Sequence, residues 1–161
     1  MNRTYTRRSG RAPGGRRLDQ PVPLRSGPNV RVIAALTTHG VEAVMELDGA
    51  VNAAAFARYL DQVLGPTLVP GDVVVRDNLR VHKAPGLAEL VEKRGARRLF
   101  LPPYSPDFTP VEWAFSQLKT FLRTAQARPR EALTDAVRAA LDWIDADDAK
   151  NWFHHCGYHV H

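Results

Sequence analysis

The segment VVVRDNLRVHKAPGLAELVEKRGARRLFLPPYSPDFTPVE spans residues 73–112. It opens on Val73-Val74-Val75, a β-branched run without alternation, which is how a strand buried on both faces reads. Leu87, Leu90 and Val91 follow at helical spacing, and Gly95 stands where a helix C-terminus favours glycine. Leu99-Phe100-Leu101 is a second short buried strand. Residues 102–110 form a proline-rich loop, with prolines at 102, 103, 106 and 110. A long helical pattern begins beyond it, carrying Val111, Ala114, Phe115, Leu118, Phe121 and Leu122.

Upstream, Val30–Leu36 and Val41–Leu47 read as two strands around a turn at His39-Gly40, which makes an antiparallel hairpin. Phe56, Tyr59, Leu60, Val63 and Leu64 give a helix over about residues 52–64, ended by Pro66 and Pro70-Gly71. Downstream, Leu133, Val137, Ala140, Leu141 and Ile144 mark a further helix, and Ala149, Trp152 and Phe153 a short last one. Hairpin, helix, strand, helix, strand, helices is the element order of an α/β sheet of mixed direction with helices on its faces. The expected division is a basic extended arm over residues 1–29 and one domain over 30–161.

A chain of 161 residues with 44% apolar content can bury one sizeable core. No apolar run approaches the roughly 18 residues that span a membrane, and no apolar leader is present. Cys156 is the single cysteine, which excludes a disulfide scaffold and makes the cytoplasm the expected setting. Charge is distributed unevenly. Residues 1–31 hold eight arginines and one acid, Asp19, whereas residues 32–161 hold 14 basic and 16 acidic residues. Such an arm suits a phosphate backbone; a solvated tail without a partner is the plainer reading.

Two acids stand at informative places. Asp77 directly follows the Val73–Val75 strand, and carboxyl ends of strands are where α/β sheets concentrate functional groups. There a carboxylate can hold a hard divalent cation, or simply open a turn. Glu112 falls at the third position of a helix in which Thr109 fits the N-cap and Pro110 the first turn, a complete capping box. The histidines 154, 155, 159 and 161 with Cys156 lack the spacing of a zinc site. Trp113, Trp143 and Trp152 read as helix-packing residues.

Asp77-Asn78, His82-Lys83, the Leu101–Glu112 loop-to-helix segment and the 34 residues between Asp77 and Glu112 occur together. In combination they resemble the catalytic core of DDE transposases, specifically the bacterial insertion-sequence group related to the mariner elements. Gly10–Leu18 resembles the arginine-rich stretch after that group's first catalytic strand, and the likeness runs on to Asn151–Tyr158. Thr109 stands where the group commonly has asparagine, another good N-cap.

The resemblance implies a ribonuclease-H-like mixed sheet with flanking helices, lacking the first strand and its catalytic aspartate, since Asp19 and Asp48 do not match that position. It implies DNA transposition by metal-dependent strand cleavage and strand transfer. Asp77 and Glu112 become catalytic metal ligands, with Mg²⁺ or Mn²⁺ as cofactor. DNA, as element ends and target, becomes the partner, along with an upstream segment supplying the missing strand and a second copy in a homodimer. The expected location is the cytoplasm, at the nucleoid. At 100° per residue, Glu112, Ser116, Lys119 and Arg123 lie within about 60° of one another. Lys119 and Arg123 are therefore candidate phosphate contacts, as are His82 and Lys83 and the arm residues Arg7, Arg8, Arg11, Arg16 and Arg17. The contrasting expectation is a catalytically dead remnant, a basic module that binds DNA without sequence preference.

Overall fold

The computed structural model describes residues 13–16, 19, 30–103, 105–127 and 129–159. The hairpin forms as expected. β1 (Val30–Thr37) pairs antiparallel with β2 (Gly40–Asp48). The register shifts by one extra residue of β2 between the Ile33–Met45 and Ala35–Glu42 pairs, and Ala43 adopts φ 48° there. This bulge re-aims the strand. Val41 faces the same side as Val30 and Val32, whereas Ala43 and Met45 face the same side as Ile33 and Ala35.

The hairpin therefore serves two cores. On one side, Val30, Val32 and Val41 meet Leu118 and Leu122 of α3 (Pro110–Ala125) and Leu133, Val137, Ala140 and Leu141 of α4 (Arg130–Asp142). On the other, Ile33, Ala35, Ala43 and Met45 meet α1 (Ala53–Arg58) and α2 (Leu87–Glu92) through Phe56, Leu87 and Val91. Asn52 caps α1, accepting the Ala55 amide at 2.8 Å, and a π-helical turn over Tyr59–Leu64 prolongs the helix. Tyr59, Leu60 and Leu64 of that turn complete this second core. At the hairpin turn Gly40 has φ 123°, and a Cβ there would lie 2.9 Å from the Ile144 carbonyl oxygen. α5 (Ala146–His155) begins beside that carbonyl, capped by Asp145, which accepts the Asp148 amide at 2.8 Å.

β3 (Val73–Arg76) and β4 (Arg97–Phe100) form a parallel pair joined by the α2 crossover. Among the described residues this pair and the hairpin are two separate two-stranded sheets. Val74 points into the second core. Val73, Val75 and Leu99 point the other way and are 45%, 37% and 48% exposed, which corrects the expectation of strands buried on both faces. A run without alternation is equally compatible with a ribbon covered by helices on one side, and here no described element covers the second face. Trp143 is likewise exposed, touching Phe121 at a ring distance of 6.1 Å. No helix among the described residues is long and apolar enough to cross a membrane.

Candidate active site

Asp77 leaves the carboxyl end of β3, where the chain turns sharply. Its Oδ1 accepts the Leu79 amide at 3.1 Å, so the side chain shapes its own turn. A 3₁₀ turn over Arg80–Lys83 then returns His82 to the same carboxylate, with Nδ1 2.6 Å from Oδ1, close but not aligned as a hydrogen bond. The imidazole is held from behind by Phe56, ring to ring at 4.4 Å. The Asp77 side chain remains half exposed, at 51%. Its Oδ2 makes no hydrogen bond among the described residues.

Asn78 ties this corner to the neighbouring strand, its carboxamide donating to the Leu101 carbonyl. The Leu101 amide donates to the Arg76 carbonyl at 2.9 Å. The carboxyl ends of β3 and β4 are thus locked side by side. The chain leaving β4 passes through the proline loop, whose Phe108 carbonyl accepts the Tyr158 hydroxyl at 2.9 Å, and enters α3 at Pro110.

The capping box expected at this helix does not form. Thr109 has ψ 82°, set by the 3₁₀ turn over Pro106–Phe108, and its hydroxyl turns back to donate to the Ser105 carbonyl at 3.3 Å. Pro110 does occupy the first turn. Glu112 is exposed; its amide donates to the Thr109 carbonyl at 3.0 Å, and its side chain makes no hydrogen bond or ion pair among the described residues. Its carboxylate is therefore not consumed by the helix end.

The cationic candidates differ in placement. Lys83 is exposed with its ammonium 5.8 Å from the Phe100 ring centre. His82 is committed to Asp77 and Phe56. Lys119 and Arg123 are half-buried along α3, and Arg16 is exposed in a turn whose amide donates to the Pro13 carbonyl at 3.1 Å. Arg7, Arg8, Arg11 and Arg17 lie outside the described residues. Asp48 pairs with Arg130, away from the candidate site. Among the described residues no three histidines, cysteines or acids gather as a metal-binding group.

Sequence reasoning passed over Arg76. It sits two positions after Val74 on β3 and so faces the same core, at 7% exposure. Its guanidinium lies 5.1 Å from the Phe100 ring centre and 5.7 Å from that of Phe56. Nε, Nη1 and Nη2 are all buried without a hydrogen bond. Burial pushes its pKa below the ordinary arginine value, nearby Arg98 pushes the same way, and Asp77 opposes both. An arginine at an even position from a core valine in a four-residue strand was the available signal.

Residues 1–134 match the family of DDE superfamily endonucleases. The chain belongs to that family. The fold of this DDE endonuclease chain is that of solved Mos1 structures. It superposes on the Mos1 strand transfer complex with TM-score 0.71 at 20% identity, over 92% of this chain and 46% of that one. For the Mos1 mariner paired-end complex with Mn, the figures are 0.68, 20%, 92% and 47%. The catalytic domain of Mos1 mariner transposase gives 0.62 at 17% identity, over 79% of this chain and 74% of that one. The DDE chain thus spans about half the length of the larger Mos1 chains it matches. No curated protein sequence matches it. These superpositions agree with the ribonuclease-H-like architecture expected from the motifs.

Proposed function

We propose that this chain is the catalytic region of a DNA transposase, cutting DNA strands and transferring them to a target with Mg²⁺ or Mn²⁺. The observation that carries this reading is a pair of exposed carboxylates: Asp77 at the locked carboxyl end of β3, with Oδ1 held by its own turn and Oδ2 without a hydrogen bond among the described residues, and Glu112 released from its own helix cap. Two hard oxygen donors, with no histidine–cysteine cluster among the described residues, suit an ion that keeps water and substrate phosphate in its shell. Bound there, the metal would activate the attacking oxygen and steady the leaving one.

The protein's own part is positional. The Leu79 amide and His82 fix Oδ1 of Asp77, leaving Oδ2 to present outward. Helix α3 holds Glu112 on a rigid element. Lys83, Lys119 and Arg123 are suited to receiving the phosphates, and the basic arm of residues 1–29, with Arg7, Arg8, Arg11, Arg16 and Arg17, to backbone contacts outside the domain of residues 30–161. Among the described residues the second edge of β3 carries no partner strand, which suits a further strand from an upstream segment that would also bring the third carboxylate. Element ends and target DNA are the substrates, the nucleoid the place of action, and a homodimer the arrangement in which two ends are handled together.

A supercoiled-plasmid nicking assay tests this, with the upstream segment supplied as a fused or separate chain. Activity should require Mg²⁺ or Mn²⁺, vanish with chelator, and vanish in Asp77→Asn and Glu112→Gln. Metal-independent nicking, or full activity in both variants, would sink it. A chain that binds DNA without ever nicking it would be the inert remnant.

A further inference from the structure

We infer that the C-terminal end of α5 is a positioning device for Glu112, holding the chain on both sides of that carboxylate through Tyr158 and His155. The inference rests on the metal-binding role of Glu112 in the proposed function and adds what aims it.

Helix α3 starts without a side-chain cap, because the Thr109 hydroxyl is turned to Ser105. An uncapped first turn frays, and Glu112 lies in it. Mg²⁺ demands near-octahedral geometry, so a ligand on such a turn needs support from elsewhere. The end of α5 supplies it. There the Gly157 amide donates to the His154 carbonyl at 3.0 Å and the Tyr158 amide to the Phe153 carbonyl at 2.9 Å, a Schellman motif. Gly157 takes φ 84°, and the Tyr158 ring packs edge to face on Phe153 at 5.7 Å. The turn and the ring contact fix where Tyr158 points. Its hydroxyl donates to the Phe108 carbonyl at 2.9 Å, just ahead of α3. On the other side, Trp113 directly follows Glu112, and its indole meets the His155 ring edge to face at 5.0 Å. Cys156 is buried beside the same indole: burial pushes the thiol up, and a hydrogen bond with the Trp113 side chain works against that. One helix end thus grips the chain at 108 and at 113. Between them the Glu112 side chain is exposed while its backbone is held.

The test uses the full chain completed by the upstream segment, as in the nicking assay, and reads Mn²⁺ binding by electron paramagnetic resonance. Tyr158→Phe keeps the ring and removes the hydroxyl. It should weaken Mn²⁺ binding about three- to tenfold, the size of one lost hydrogen bond. Gly157→Ala meets no atom within 4 Å but stands at a positive φ, so it re-aims Tyr158 and should weaken binding in the same way. DNA affinity measured in chelator should stay unchanged in both variants. In a Glu112→Gln background, where Asp77 retains a weaker site, Tyr158→Phe should add nothing, because its effect passes through Glu112. Circular dichroism checks that each variant folds. Unchanged Mn²⁺ binding in the folded variants, or an equal loss in the Glu112→Gln background, overturns the positioning role and leaves the proposed function intact. If the wild type neither binds Mn²⁺ nor nicks DNA, the proposed function fails and the inference with it.

Discussion

Asp77 and Arg76 are adjacent in sequence and opposite in circumstance. Strand alternation sends Asp77 toward solvent and Arg76 into the second core, where an unanswered charge is costly. The two should respond differently to substitution. Asp77→Asn and Glu112→Gln leave packing untouched, so each should shift stability by no more than about 0.5 kcal/mol while removing metal-dependent nicking. Thermal melting followed beside the nicking assay checks the pair. A large loss of stability in either would mean that the carboxylate serves the fold.

At the level of elements, the bulge at Ala43 and the turn at Gly40 decide how the hairpin meets its helices. Gly40→Ala would force a side chain onto a positive φ and into the Ile144 carbonyl at 2.9 Å. The expected cost is about 1–3 kcal/mol, read as a lower urea midpoint with unchanged slope. The helices α3, α4 and α5 were legible because apolar spacing of three and four residues survives any environment. The hairpin was legible from its glycine turn. The valine run of β3 was not, since its sequence cannot distinguish helices on two sides from helices on one. The helix cap at Thr109 was misread for a related reason. Residue types there satisfy a capping box, but the preceding prolines set the backbone angle and turn the hydroxyl toward Ser105. Asp77 and Glu112 stand out in the sequence as the proposed site by their place after a strand and at a helix start, but Arg76 needed knowledge of which face of β3 is buried.

For the molecule as a whole, charge separates into a basic segment over residues 1–31 and a mildly acidic remainder. If the eight arginines of residues 1–31 make the backbone contacts, binding to random-sequence DNA should weaken with salt. A logarithmic slope between about −3 and −7 is expected from the number of phosphates they can neutralise. Removing residues 1–29 should abolish most of that binding, measured by filter retention across salt concentrations. Equal binding by the shortened chain would make the arm a mere tail.

Among the described residues the second edge of β3 has no partner strand, and this leaves a signature in amide exchange. The ladder to β4 runs from the Arg97 amide to the Asp72 carbonyl and from the Leu101 amide to the Arg76 carbonyl. In a parallel pair this directs the amides of Val74 and Arg76 toward β4 and those of Val73 and Val75 away from it. Deuterium should therefore enter Val73 and Val75 orders of magnitude faster than their neighbours, in a strict one-in-two pattern. Docking of a strand along that edge should slow those two positions alone, giving a residue-resolved clock for the completion of the sheet.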